Sequence, residues 1–146
     1  MRFFGRKDEI AELHNIRNLS LHTARFTIVT GRRRSGKTSL LLKAYEDVDD
    51  LLYFFVARKS EEELCKDFVN EIKEKLQIPI LGEVSRFADI FKYLLQLSKT
   101  RPLTIIIDEF QDFKRVNASV FSDMQKIWDL NKQDAHVNLV VCGSIY

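Results

Sequence analysis

Residues 27–41 read TIVTGRRRSGKTSLL. Gly31 and the trio Gly36-Lys37-Thr38 are separated by Arg32, Arg33, Arg34 and Ser35, and the whole stretch lies between two apolar runs. The spacing Gly-x-x-x-x-Gly-Lys-Thr suits a polyphosphate. Such an anion must be surrounded by backbone N–H groups, and side chains at the positions of close approach would block it, so glycines stand there. A helix expected to start near Lys37 turns its unpaired N–H groups and positive dipole end toward the phosphates. In this pattern the Lys37 ammonium reaches the β- and γ-phosphates, and the Thr38 hydroxyl is a ligand of Mg²⁺. Gly31, Arg32, Arg33, Arg34, Ser35, Gly36, Lys37, Thr38 and Ser39 therefore form the candidate nucleotide-binding loop. The arginines occupy its variable positions, where a solvated loop crest and a long-range attraction for nucleotide both fit.

A phosphate site of this kind needs an acidic residue at the tip of another strand, and residues 103–113, LTIIIDEFQDF, supply one. Asp108 follows the apolar run ending in Ile107, which puts its carboxylate at the strand's carboxyl end, where open α/β sheets bind ligands. It is the candidate to hold Mg²⁺ beside Thr38. Glu109 is the candidate base that polarises an attacking water. Asp112 reads as a surface residue. Near the end, LVVCGSIY places Ser144 just beyond a strand, either as a sensor of the attacking water or γ-phosphate, or as part of a plain Gly-Ser turn. Arg58 and Lys59 read as a solvated loop at the same sheet edge.

These residues need a scaffold that brings strand ends together. Four β-rich runs are present, Phe26–Thr30, Leu51–Ala57, Leu103–Asp108 and Val137–Cys142. Three of them are nearly unbroken apolar segments, as in strands covered on both faces. Helical patterns lie between them: Ile10, Leu13 and Ile16; Leu64, Phe68 and Ile72 after the capping-box sequence Ser60–Glu63; a wide stripe from Phe87 to Leu95; and Phe121, Met124 and Trp128. The alternation predicts an α/β fold with a parallel sheet and helices on both faces.

Composition sets the outer bounds. The 146 residues allow one domain with a real core, and a net charge of +2 is too small to argue for nucleic acid by itself. No apolar run approaches the roughly 20 residues that span a bilayer, so no membrane role is expected. Met1–Arg6 lacks the apolar centre of a secretory signal. Cys65 and Cys142 cannot build a disulfide framework and read as reduced, buried thiols of a cytoplasmic protein. His14, His22 and His136 lack metal-ligand spacing.

Taken together, FFGRKDEI, GRRRSGKTSLL, FFVARKSEEEL, IIIDEFQDF and VVCGS resemble the archaeal-type ATPase family, a branch of the AAA-like P-loop NTPases, from Phe3 to Ser144. The resemblance implies a three-layer core with strand order 1-4-3-2, ATP and Mg²⁺ as ligands, and an N-terminal Gly-Arg segment near the adenine, here Gly5 and Arg6. It also implies a helical lid and, often, a C-terminal region suspected of binding DNA. Against that pattern the expectation is a core spanning 1–146 that ends before the arginine finger, the fifth strand and the lid. Its cycle would drive or regulate that absent region, and DNA would be reached only through it. The alternative is a nucleotide-dependent switch or scaffold with very slow hydrolysis. A small-molecule phosphotransferase ranks last for want of an acceptor signature. With no fifth strand, Phe26–Thr30 is expected at a sheet edge, apolar and open to pairing, so that the chain self-associates there or Arg2–Phe4 fold over the edge.

Overall fold

The structure, a computed structural model, describes residues 6–32, 35–80 and 82–145. The elements run α1 (Arg6–Ser20), β1 (Arg25–Arg32), α2 (Lys37–Ala44), β2 (Leu51–Phe55), α3 (Glu61–Leu76), α4 (Phe87–Leu97) and β3 (Leu103–Asp108). A 3₁₀ turn, Phe110–Asp112, then leads into the short α5 (Phe113–Val116), followed by α6 (Val120–Asn131) and β4 (Val137–Ile145). All strand pairs are parallel, and the order is β1-β4-β3-β2, as the resemblance implies.

Strand parity assigns the layers. Successive side chains of a strand face opposite ways. Leu103, Ile105 and Ile107 of β3, with Val137, Leu139 and Val141 of β4, join the larger core under α3, α4, α5 and α6. Its centre is an aromatic group in which Phe54 stacks on Phe68 at 4.6 Å and Phe87 meets Phe113 at 4.7 Å. Ile106, Val140 and Cys142 face the other way, onto Leu13 of α1 and Leu40, Leu41 and Ala44 of α2. Asp108 and Ser144 have the parity of that second set, which aims both at α2. The sequence of α3 begins as its capping box requires, with the Ser60 hydroxyl accepting from Glu63 N–H at 3.2 Å and the Glu63 carboxylate accepting from Ser60 N–H at 3.3 Å.

Three strands end elsewhere than in the sequence reading. β1 continues through Gly31 to Arg32, and β4 continues past Cys142 to Ile145, because the two ladders extend one another: Thr30 pairs with Gly143, Gly31 with Ser144 and Arg32 with Ile145. Glycine reads as a breaker, yet it keeps both backbone hydrogen-bonding groups and does not end a ladder that has a partner. Ser144 is thus inside a strand, not beyond it. β2 ends early, at Phe55, after which Val56 N–H still donates to the Asp108 carbonyl at 3.0 Å. β1 has β4 as its one strand neighbour among the described residues, so it is the expected edge.

Candidate nucleotide site

The loop from β1 to α2 closes over a left-handed residue. Gly36 precedes α2 at φ 85°, a conformation that favours glycine, and Leu40 N–H donates to its carbonyl at 2.9 Å as the first helical bond. Gly31 has a second reason to be small, since a Cβ there would lie 2.9 Å from Ser35 Oγ. Lys37, the first residue of α2, is 7% exposed. Its ammonium donates to Ser144 Oγ at 3.2 Å and to the Arg32 carbonyl at 3.4 Å. Both acceptors are neutral, and among the described residues Lys37 makes no ion pair. A buried cation with only neutral partners is costly, and an anion is what relieves that cost. The Lys37 side chain thus folds back onto β4.

Thr38, one residue on, donates its hydroxyl to Asp108 Oδ2 at 2.9 Å. Asp108 is buried, and two further donors fix it: the Tyr53 hydroxyl on Oδ2 at 2.5 Å and the Glu109 N–H on Oδ1 at 2.9 Å. Tyr53 was not legible as a site residue. It sits opposite Ile106 on β2, which makes Asp108 its diagonal neighbour on the same face, within reach of a long aromatic side chain. Burial and the Asp108 carboxylate push its phenol well above the ordinary range, so it remains a donor. The signal was a tyrosine in an otherwise apolar strand, whose hydroxyl has to find a partner.

Glu109 has φ 55° and ψ 43°, left-handed for a residue with a side chain. Conformations of this kind cost of order 1–3 kcal/mol and collect at functional sites. Its carboxylate accepts from Gln111 Nε2 at 2.9 Å and from Ser144 Oγ at 3.3 Å. A continuous polar chain therefore runs from Lys37 through Ser144 to Glu109, at the carboxyl ends of β3 and β4. Asp112, the surface residue of the sequence reading, is paired with Arg115 at 3.0 Å.

The structure thus brings Lys37, Thr38, Asp108, Glu109 and Ser144 together. The remaining candidates divide. Arg32 is exposed and contributes its carbonyl, Ser35 donates its N–H to that carbonyl at 3.1 Å, and Ser39 is exposed. Gly5, Arg33 and Arg34 lie outside the described residues, as does the side chain of Arg6, which begins α1. Arg58 and Lys59 are exposed; Lys59 pairs with Asp67 at 2.8 Å, and Arg58 lines a cleft of about 310 Å³ together with Glu109. No group of three or more His, Cys, Asp or Glu gathers as a metal cluster among the described residues. The oxygen pair of Thr38 and Asp108 instead suits a hard cation that takes most of its ligands from phosphate and water. Cys142 beside this site and Cys65 in α3 are both free, and burial pushes both thiols up to about 12, so neither is reactive.

A model of the ATPase domain found predominantly in Archaea matches residues 3–145. The chain belongs to that family. An uncharacterised protein of Methanocaldococcus jannaschii is 29% identical over 142 residues, covering 97% of this chain and 29% of the relative. A second protein of that organism is 43% identical over 56 residues, 38% of this chain and 54% of the relative. Among solved structures, Cdc6p of Pyrobaculum aerophilum superposes with a TM-score of 0.66 at 17% identity, over 99% of this chain and 40% of that one. The ORC2 protein of Aeropyrum pernix, solved in ADPNP–ADP complexes, gives 0.66 at 16% identity, over 99% and 42%. The Walker-type ATPase of Pyrococcus abyssi gives 0.64 at 19%, over 90% and 44%. At these identities the likeness is one of fold: a P-loop ATPase core. The chain spans less than half the length of each of these structures and under a third of the longer archaeal relative.

Proposed function

We propose that this archaeal-type ATPase domain binds ATP with Mg²⁺ and hydrolyses it at the site formed by Lys37, Thr38, Asp108, Glu109 and Ser144. The observation that carries the reading is the buried Lys37 ammonium at the head of α2, held by two neutral oxygens, with the Thr38 hydroxyl of the next residue bonded to Asp108. Lys37 and the N–H groups that open α2 bind the β- and γ-phosphates. Thr38 and Asp108 hold the Mg²⁺, which shields the phosphate charge as it redistributes. Glu109 takes the proton of the attacking water, and Ser144 orients that water or the γ-phosphate. Calorimetric titration with ATP tests the reading directly: saturable binding strengthened by Mg²⁺ is expected, and no binding at millimolar ATP would overturn it.

The chain covers 29% of its longer archaeal relative, which supports a cycle that acts on a region beyond these residues, where DNA would be reached. The competing reading, a switch with very slow hydrolysis, is favoured by one detail: both Glu109 carboxylate oxygens are already engaged by side chains. Single-turnover hydrolysis separates the two.

Tyr53→Phe keeps the ring but removes one donor from Asp108, so the Mg²⁺-dependent part of ATP affinity should fall by about 1–2 kcal/mol. Binding in EDTA should stay the same, and parallel titrations with Mg²⁺ and with EDTA check both. Phe26 and Ile28 are 44% and 66% exposed on an edge strand, with Phe26 edge-on to Trp128 at 5.6 Å. An apolar, unpaired edge recruits another strand, and the proposed occupant is β1 of a second copy. Residues Arg2–Phe4, the other expected cover, lie outside the described residues. The apparent mass should rise across a light-scattering concentration series, and Ile28→Lys should restore the monomer. A wild-type chain that stays monomeric throughout would show the idea to be wrong.

A further inference from the structure

Gln111 contacts Glu109, and its surroundings are specific. It lies in the 3₁₀ turn directly after the left-handed Glu109 and reaches back, so that its Nε2 donates to Glu109 Oε2 at 2.9 Å. Its other amide atom, Oε1, accepts from the backbone N–H of Ser144 at 3.3 Å. Only one orientation of the amide satisfies a carboxylate on one side and an N–H on the other, so the group is fully specified. The end of β4 makes room for it: a Cβ on Gly143 would sit 2.7 Å from Gln111 Oε1. An alanine at 143 would therefore displace the end of the Gln111 side chain and not the strand itself.

We propose that Gln111 is a positioning residue that locks the Glu109 carboxylate onto the end of β4, beside Ser144 and Lys37. The lock has two anchors. Gln111 ties one carboxylate oxygen to the Ser144 main chain, while the Ser144 hydroxyl donates to the other at 3.3 Å. Glu109 is thereby held at a fixed place relative to the Lys37 ammonium, which touches the same hydroxyl. Glutamine is required: glutamate at 111 would set a second carboxylate against Glu109 with no proton to share, and a shorter side chain would not span the gap. The proposal rests on the reading of Glu109 as the base.

The test uses two variants that break the lock from opposite sides. Gln111→Glu removes the donor. Gly143→Ala leaves Glu109, Ser144 and Gln111 chemically intact but drives the amide away. Each should slow single-turnover ATP hydrolysis by about 10–100-fold, the scale of a misplaced base. The affinity for Mg-ATP should stay within about twofold, because neither side chain is a phosphate partner. The double variant should be no slower than the worse single one, since both changes break one contact. As a readout independent of turnover, the preference for Mg-ADP with aluminium fluoride over Mg-ADP alone should fall by a similar factor in all three. Wild-type rates, faster rates or additive losses would each overturn the proposal. Glu109→Gln, run alongside, separates the two claims: if it alone keeps full turnover, the assignment of Glu109 as base has failed, whatever Gln111 does.

Discussion

Glu109→Gln should bind Mg-ATP as tightly as the wild type and hydrolyse it at least ~100-fold more slowly, within the usual span for loss of a general base. The substitution is isosteric, and the site tolerates it. Ser144 can turn its hydroxyl to accept from the new amide, and the amide oxygen still accepts from Gln111. Neither Thr38 nor Asp108 loses a partner, because the Glu109 group that contacts Asp108 is its backbone N–H. The loss is confined to one property, the ability to take a proton. Titration calorimetry and single-turnover hydrolysis measured on one preparation check both halves. Full turnover in the variant would send the search elsewhere, and Asp112, next along the chain, is already committed to Arg115 at 3.0 Å.

Why Asp108 and Glu109 could be read in advance, and Gln111 and Tyr53 could not, has a physical answer. Asp108 ends an apolar run, and a strand's last residue announces its position by where the apolar pattern stops. Apolar runs marked the existence of all four strands, but only β3 ends where its run was read to end; parity then determines that Asp108 faces α2, while the strand order came from the family resemblance. Gln111 has no such marker. Its partner at Ser144 is 33 residues away, and the contact exists because β4 runs beside β3 and continues past the point where Gly143 and Ser144 look like a turn. Tyr53 was hidden by its neighbours, since Leu51, Leu52, Phe54 and Phe55 make the segment read as plain core. Only the pairing of Tyr53 with Ile106 brings its hydroxyl to Asp108. Both misses depend on which strands lie side by side and in what register, which a single sequence does not display.

Lys37→Ala should weaken Mg-ATP binding by roughly 2–3 kcal/mol, the scale of a charge-assisted contact in a preorganised site. That is about a 30- to 150-fold rise in dissociation constant. The fold should survive, for a reason the sequence did not supply. Lys37 is buried, and its ammonium rests against two neutral oxygens with no ion pair among the described residues. Removing such a charge relieves a desolvation cost as well as deleting contacts. The groups it leaves are not orphaned: the Arg32 carbonyl still accepts from Ser35 N–H at 3.1 Å, and the Ser144 hydroxyl still donates to Glu109. The melting temperature without nucleotide should therefore stay close to that of the wild type or rise. With saturating Mg-ATP the order reverses, because the wild type gains stability from a ligand that the variant binds weakly. Thermal melts with and without Mg-ATP, beside calorimetry, check both signs. Equal affinities in the two proteins would remove the phosphate role from Lys37, and with it the main support for a nucleotide at this loop.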